Sequence, residues 1–97
     1  MTTPIFTDLA QRDLRRAAAQ SLKLFGLRQS RRYVDRLTKG ADALARDPRR
    51  GHIFDPEFPH HRRFLVEAHY LIYRQRPDGG ILIVRILHSR MNLSSHL

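Results

Sequence analysis

Arginine dominates the chemistry that this sequence makes available. Lys and Arg together supply 18 of the 97 residues, against 9 Asp and Glu, which gives a formal charge of +9. Lys23 and Lys39 are the only lysines, so the other 16 of these 18 residues are arginines. A planar guanidinium binds a phosphate or a carboxylate through two parallel hydrogen bonds. The composition therefore predicts an acidic partner: a nucleic acid, an acidic protein segment or an anionic surface.

One arginine stands inside an apolar run near the end of the chain. Arg85 interrupts the run ILIVRIL, which otherwise indicates a central strand covered on both faces. A buried guanidinium is costly unless it is paired. The residue therefore either forms a salt bridge to a helix acid, such as Asp13 or Asp35, or borders a cleft with a functional role. His88 and Arg90 follow where the strand gives way to a polar tail, so all three side chains could border one open edge.

A second group of arginines accompanies two tyrosines. Arg62, Arg63 and Arg74 lie on or beside two further predicted strands, and Tyr70 and Tyr73 lie between them in the chain. Arginines beside tyrosines on a sheet can read nucleic acid by stacking on its bases. The alternative is that the tyrosines fill the edge of the core, and the spacing leaves both open.

The remaining residue types give little support to metal or cofactor chemistry. No pair of the six histidines has the i, i+4 spacing of a helical zinc site, and no cysteine is present. No glycine-rich phosphate loop and no nucleophile-elbow motif occurs. The only glutamates, Glu57 and Glu67, lie in predicted loop or turn segments. We therefore predict no catalytic residue, no metal site, no cofactor and no small-molecule substrate.

Two helices are predicted to carry the N-terminal half of the chain. Residues 3–6 indicate a short edge strand in front of them. Capping residues and apolar periodicity predict helices over 8–25 and 27–46, separated by Gly26. Because the connection is so short, the two helices must form an antiparallel hairpin over residues 8–46.

The C-terminal half is predicted to form a sheet. Prolines and a glycine in residues 47–61 indicate a loop, and strand formers dominate residues 62–87 around a turn at Pro77-Asp78-Gly79-Gly80. The polar tail, residues 88–97, has no evident role in the core. The order (β)ααβββ predicts one α+β domain over residues 1–97, with a helical hairpin packed on a small antiparallel sheet.

The N-terminal segment indicates no export. Its sequence, MTTPIFTDLAQRD, lacks the basic and apolar regions of a secretory signal. No apolar stretch of the chain approaches the roughly 20 residues of a membrane span. The absence of cysteine suits a reducing compartment. We expect a cytoplasmic protein that does not associate with a membrane.

Segments spread over nearly the whole chain together resemble the ParE family of bacterial toxins. The most specific is Val84-Arg85-Ile86-Leu87-His88-Ser89-Arg90-Met91-Asn92, close to that family's usual "RILH-x-RMD" ending. The earlier segments are Asp13-Leu14, Phe25-Gly26 with Gln29, Tyr33 with Leu37, residues 44–51, Arg62-Arg63-Phe64, His69 and Ile72-Tyr73-Arg74. The chain departs from the pattern at Phe25, where tryptophan is common, at residues 66–68, which lack a glycine, and at Asn92, which replaces an aspartate.

The resemblance implies a RelE-like fold and the role of toxin in a type II toxin–antitoxin pair. Such toxins are held inactive in a hetero-oligomer by an antitoxin of the ParD kind, expected to be an acidic ribbon-helix-helix protein. ParE toxins characteristically inhibit DNA gyrase without enzyme activity. A toxin that is inactive and only binds its antitoxin is also compatible with the sequence.

The alternative is a RelE-type endoribonuclease that cuts mRNA on the ribosome. RelE relatives use lysines, arginines and a late tyrosine around the sheet. This chain has no lysine after Lys39 and no tyrosine after Tyr73, which argues against that chemistry. If the chain did cleave RNA, the substitutes would be His88 as the base and Arg85 and Arg90 as the residues that bind the phosphate.

Two sets of binding residues follow from this interpretation. Arg85, His88 and Arg90 are predicted to bind the target. Arg62, Arg63, Tyr70, Tyr73 and Arg74 are predicted to bind the antitoxin. The antitoxin's acidic amphipathic segment is expected to dock in an apolar and arginine-lined groove between the hairpin and the sheet. Residues 92–97 are expected to matter for toxicity but to add little stability.

Overall fold

The computed structural model describes residues 3–97, which form two long helices and five strands. The helices are α1 (Asp8–Phe25) and α2 (Leu27–Arg46), with the predicted bounds. The strands are β1 (Ile5–Phe6), β2 (His52–Ile53), β3 (Arg62–Val66), β4 (His69–Gln75) and β5 (Ile81–His88). A 3-10 turn, Ser94–His96, lies close to the C-terminus. None of the helices in this part of the chain is long and apolar enough to cross a bilayer.

The start of α1 and the corner of the hairpin are set by single residues. The Thr7 hydroxyl accepts a backbone N–H from the first turn of α1 at 3.0 Å and donates to the Val84 carbonyl at 2.7 Å. This cap therefore also fixes the helix start onto β5. Gly26 separates the helices at a φ of 90°, which few residues other than glycine adopt.

The sheet is mixed, with the strand order β1-β5-β4-β3-β2. β3, β4 and β5 form the predicted antiparallel ladder, whereas β1 pairs with β5 in parallel. A parallel pair needs a long crossover, and the helical hairpin supplies it. The α+β class is confirmed, but the expectation of a purely antiparallel sheet is wrong. Residues 47–61 are also not all loop, because β2 pairs with the start of β3.

The helices cover one face of this sheet and form the main core with it. The helices contribute Ala10, Ala17, Leu37, Ala41 and Leu44, and the strands contribute Leu71, Tyr73, Ile81, Ile83 and Ile86. All of these residues are at most 3% exposed. The predicted apolar stripes of α1 and α2 therefore face the sheet.

The opposite face of the sheet is covered in part by the C-terminal tail. A second apolar cluster there contains Phe54, Tyr70, Ile72, Leu87, Met91 and Leu93. Leu93 is only 7% exposed. The Ser94 hydroxyl next to it donates to the Asp55 carboxylate, which ties the tail to the loop before β3. The expectation that the tail has no role in the core is wrong, because its one buried leucine completes this cluster.

A bulge shifts the register between β4 and β5. Gln75 pairs with Ile81, but the ladder shifts by one residue between Ile72 and Tyr73 of β4. Beyond that point His69 pairs with His88, whereas an unbroken ladder would have placed Leu87 opposite His69. The bulge therefore brings two histidines together at one end of the sheet.

Candidate functional site

A cavity of about 330 Å³ opens between the tip of the helical hairpin and the β3–β4 turn. Leu24 and Phe25 line it and are 60% and 70% exposed, and the adjacent Leu27 is 54% exposed. Exposed apolar residues grouped in this way mark a surface for a partner. The cavity lies where the docking groove was expected, between the hairpin and the sheet. No arginine among the described residues lines it.

A tyrosine and two histidines form the polar wall of this cavity. The Tyr33 hydroxyl accepts the Ala68 N–H at 3.2 Å and lies 2.6 Å from Nδ1 of His69. The direction of this contact depends on the histidine tautomer: when Nδ1 carries no proton, the Tyr33 hydroxyl donates to it. Burial lowers the pKa of His69, and the neighbouring His88 lowers it further, partly opposed by Asp13. Burial likewise raises the pKa of Tyr33.

His88, a predicted target-binding residue, lies in this same wall, and Arg90, a second one, follows it two residues later. The His88 ring stands edge-on to His69, with ring centroids 5.3 Å apart. Nδ1 of His88 accepts the backbone N–H of Arg90 at 3.2 Å, and Arg90 is exposed. The structure therefore brings His88 and Arg90 together beside the cavity.

Arg85, the third predicted target-binding residue, is held in an ion pair. Its Nε and Nη2 donate to the two carboxylate oxygens of Asp13 at 2.8 and 3.1 Å, and Nη1 donates to the His96 carbonyl at 2.9 Å. The side chain is 15% exposed, and the hydrogen bonds to Asp13 raise its pKa. Of the two acids considered as partners, Asp13 is the one that binds Arg85. This geometry favours the structural role, and the target surface proposed below does not include Arg85.

Asp13 also closes an open edge of the sheet. β1 pairs only with the first half of β5, so the second half has no neighbouring strand on that side. The Asp13 carboxylate accepts the Ile86 N–H at 3.0 Å, as a strand carbonyl would. One helix carboxylate, 7% exposed, thus satisfies both a strand amide and the charge of Arg85.

The five residues predicted to bind the antitoxin are divided between two places. Arg63 and Tyr70 lie on the outer face of the sheet, with the guanidinium carbon 4.9 Å from the ring centroid. Leu65 pairs with Tyr70 across the strands and is 49% exposed. The β3–β4 turn connects this patch directly to the cavity. Arg62 and Arg74 lie at the other end of these strands, in a groove with Arg49 and His60.

Tyr73 is part of the core, although it borders the floor of the groove that holds Arg62 and Arg74. It is 1% exposed, and its hydroxyl donates to the Pro48 carbonyl and accepts the Gly51 N–H, both at 2.8 Å. The prediction that Tyr73 contacts a partner is therefore wrong. Its ring fills the core, and its hydroxyl holds the segment after α2 against the sheet.

Two residues of the cavity wall were missed by the sequence analysis. Tyr33 belongs by its spacing to the apolar stripe of α2, so it reads as a core residue. His69 meets His88 only because of the bulge, which no local pattern indicates. No group of three or more His, Cys, Asp or Glu side chains in residues 3–97 could hold a metal ion.

Sequence comparisons find relatives over most of the chain. Residues 5–93 match the family model described as "ParE toxin of type II toxin-antitoxin system, parDE". The chain is 34% identical to Toxin ParE of Escherichia coli over 97 residues, which covers all of this chain and 94% of that protein. It is 34% identical to Toxin ParE1 of Mycobacterium tuberculosis over 73 residues, 75% of this chain and 74% of that one.

Solved structures of similar shape come from toxin–antitoxin systems. A chain of the chromosomal ParDE system from P. aeruginosa superposes with a TM-score of 0.76 at 21% identity, covering 91% of this chain and 96% of that one. A chain of the RelBE2 toxin–antitoxin complex from Mycobacterium tuberculosis gives 0.62 at 25% identity, covering 89% and 95%. The two-helix, five-stranded arrangement is thus shared with these proteins.

Proposed function

The chain belongs to the ParE toxin family of type II toxin–antitoxin systems, and from this we propose that it inhibits DNA gyrase in the cytoplasm until a ParD-like antitoxin binds it. The observation that carries the proposal is the composition of one end of the molecule, which we call the cavity end. It combines the cavity beside Phe25, the Arg63–Tyr70 stack, and His88 with Arg90. One antitoxin segment that fills the cavity would cover His88 and Arg90, so antitoxin and target would compete for one surface.

The chemistry of the cavity end suits an acidic amphipathic helix. The exposed side chains of Leu24 and Phe25 offer contacts to the apolar face of such a helix. Lys23 and Arg28 flank these residues in the chain, and both are exposed. Their charges would attract and orient the acidic face. We propose that this helix belongs to an acidic ribbon-helix-helix antitoxin in a hetero-oligomer with the toxin.

The environment of Arg85 supports a non-enzymatic toxin. A phosphate-cleaving site needs cations directed at the developing charge. Arg85 is instead neutralised by Asp13, and the sheet face at Ile72 and Leu87 is filled by Leu93. We therefore propose that the toxin acts by binding its target.

A second candidate function rests on the cavity wall. His69 and His88 are a close imidazole pair next to the Tyr33 hydroxyl and Arg90. Imidazoles in contact can act as acid and base in cleavage of RNA at the 2′-hydroxyl. This arrangement favours the RelE-type endoribonuclease as the alternative function.

A pair of assays tests the proposal. Purified wild-type protein is expected to block plasmid supercoiling by gyrase, whereas the Arg90→Ala variant is expected to lose most of that inhibition. Arg15→Ala, an exposed change on α1, is the control of equal charge and should inhibit like the wild type. Unimpaired supercoiling with the wild-type protein would refute gyrase as the target. Primer extension on translating ribosomes should show no new stops, and defined cleavage stops would establish the endoribonuclease instead.

A further inference from the structure

Six basic side chains gather at the end of the molecule opposite the cavity. Two adjoining grooves there share His60, Arg74 and Gln75 in their linings. The first groove also has Arg49 and Arg62, and the second has His61 and Arg76. We call this pair the basic grooves. β4 runs from His69 at the cavity to Gln75 at the grooves, so the two surfaces lie about 20 Å apart at roughly 3.3 Å per residue.

Three of the four arginines of the basic grooves have no acidic partner within residues 3–97. No carboxylate among the described residues lines either groove, and Arg49, Arg62 and Arg74 form no ion pair within residues 3–97. Arg76 does bind Asp78, at 3.2 Å, but its buried Nε has no hydrogen-bond acceptor in this part of the chain. Buried donors are rarely left unpaired in native structures, so the charge of Arg76 is only partly satisfied within this part of the chain.

Hydrogen bonds to the backbone and a ring contact order part of the basic grooves. Arg62 donates from Nη1 to the Gly51 carbonyl at 2.9 Å. The His61 N–H donates to the Phe58 carbonyl at 3.0 Å, and its ring stands edge-on to that of Phe58 at 6.0 Å. The Arg76 N–H donates to the Gly80 carbonyl at 2.7 Å in the β4–β5 turn. The guanidinium of Arg62 is therefore fixed before any ligand binds, which reduces the conformational freedom lost on binding an anion.

We propose that the basic grooves bind the phosphodiester backbone of a nucleic acid. The guanidinium group of arginine can donate two parallel hydrogen bonds to the oxygens of a phosphate. Several such groups side by side can bind consecutive phosphates of a nucleic-acid backbone by charge, without apolar contacts. The apolar residues in the linings are Pro48, Pro59, Pro77 and the nearly buried Tyr73. None of them offers an exposed aliphatic or aromatic side chain like those of Leu24 and Phe25 at the cavity, so an acidic amphipathic helix would gain a weaker anchor in the grooves. This binding goes beyond gyrase inhibition and does not depend on it.

His61 reports on the charge inside the grooves. Burial lowers the pKa of its imidazole, and the positive charge of Arg74 and the neighbouring His60 lower it further. A phosphate bound between these groups offsets the repulsion and stabilises the protonated ring. The pKa of His61 is therefore expected to rise when nucleic acid binds.

The experiment measures binding of labelled oligonucleotides to the full-length toxin by fluorescence anisotropy at several salt concentrations. The probes are a 12-base-pair DNA duplex and a single-stranded RNA of 12 nucleotides. The test variant is Arg49→Gln/Arg74→Gln. The control, Arg12→Gln/Arg31→Gln, removes the same charge from exposed positions of the two helices. The test variant is expected to lower the slope of log affinity against log salt by about 2 for duplex DNA, at roughly 0.9 per lost phosphate contact, and the control to leave the slope unchanged.

The outcomes separate this inference from its competitors. A preference for duplex or for RNA identifies the nucleic acid, and either result supports the proposal. Equal losses in both variants would show general charge attraction and overturn it. Tighter groove-dependent binding of a Glu-rich peptide of matched charge would assign the grooves to an acidic protein and also overturn it. NMR titration of His61 gives the local test, and a pKa that does not rise with saturating DNA or RNA contradicts the proposal. Neither gyrase nor antitoxin is present, so the result is independent of the proposed function.

Discussion

Asp13 shows how one side chain can hold distant parts of this fold together. Its two carboxylate oxygens bind Arg85, and one of them also accepts the Ile86 N–H. Through Arg85 the same carboxylate is linked to the His96 carbonyl, so helix, strand and tail meet at one charge pair. The sequence predicts that Arg85 needs an acid, but Asp13 and Asp35 both qualify from their types alone. The choice depends on which helix lies beside β5, which is a property of the packed molecule.

Removing Arg85 should therefore destabilise the domain. Arg85→Ala leaves Asp13 nearly buried and without its cation, which is expected to lower the free energy of unfolding by about 3 kcal/mol. Arg90→Ala is the matched control, since Arg90 is exposed and its side chain forms no ion pair within residues 3–97. Urea denaturation of both variants measures the difference. Equal stability of the two would show that the Asp13 pair contributes nothing.

Gly51 is required where the chain after α2 passes under Tyr73. A Cβ at this position would lie 2.5 Å from the Arg63 carbonyl oxygen and 2.6 Å from the Tyr73 hydroxyl. The carbonyl belongs to the sheet and cannot move without distorting it, so Gly51→Ala should destabilise by roughly 1–3 kcal/mol. At Gly79 no atom lies within 4 Å of such a Cβ. In Gly79→Ala the only cost is the strain of a positive φ. Melting curves should therefore give Gly79→Ala a clearly higher Tm than Gly51→Ala.

The elements differ in how far the sequence alone determines them. The bounds of α1 and α2 follow from periodicity, a cap and Gly26, because helices are set by local signals. β2 has two residues, both exposed, so it carries no alternation that could have predicted it. The parallel pairing of β1 depends on where the hairpin returns the chain. Leu93 is one of three apolar residues in the tail, with Met91 and Leu97, and only the packed sheet shows that it is the one that becomes buried.

The tail is therefore expected to stabilise the sheet. Leu93→Ala should lower the free energy of unfolding by about 2–3 kcal/mol, because it opens a space beneath the tail against Ile72 and Leu87. Deleting residues 92–97 should cost more, since the Ser94–Asp55 and Arg85–His96 hydrogen bonds are lost as well. Asn92→Ala, at an exposed position, is the control and should stay within about 0.5 kcal/mol of the wild type. A deletion variant as stable as the wild type would contradict this account.

The contact between α2 and β4 should make stability depend on pH. His69 has a lowered pKa in the folded protein, so below its ordinary value of 6.5 the unfolded chain takes up a proton that the folded chain does not. The free energy of unfolding is thus unaffected by the titration of His69 above pH 6.5 and decreases progressively as the pH falls from 6.5 towards the pKa of His69 in the folded protein. Urea denaturation between pH 5 and 8 should show this decline. His69→Gln should reduce this decline and leave only the contribution of His61, whose pKa is also lowered. An unchanged slope would mean that His69 is not the source of the decline.

At the scale of the whole molecule, the excess positive charge is spread over the two helices and the sheet. The sequence predicts an acidic partner from the charge of +9, but it cannot show that Arg63 and Arg74 belong to different surfaces. It assigns both to the antitoxin for that reason. The structure stacks Arg63 on Tyr70 on the outer face of the sheet and places Arg74 in the basic grooves. The topology of the sheet therefore decides which arginines share a surface. The two surfaces differ because exposed apolar side chains occur at the cavity end and not in the basic grooves.

The two ends should respond separately to an antitoxin. A ligand that binds only the folded state, at 100 times its dissociation constant, adds about 2.7 kcal/mol of stability. For a domain of this size that corresponds to a rise in Tm of roughly 10–20 °C. Phe25→Ser changes a side chain that is 70% exposed, so it should leave the Tm of the free toxin nearly unchanged while removing most of the rise caused by an antitoxin peptide.

Arg49→Gln/Arg74→Gln is the complementary variant for this experiment, and it should retain the full rise in Tm with the antitoxin peptide. Both variants need to melt like the wild type when free, which confirms that the fold is intact. If Phe25→Ser keeps the full rise, the antitoxin docks away from the cavity. If the groove variant loses the rise instead, the basic grooves bind the antitoxin. Because each variant alters one end and leaves the other intact, the pair of melting curves assigns the antitoxin surface directly.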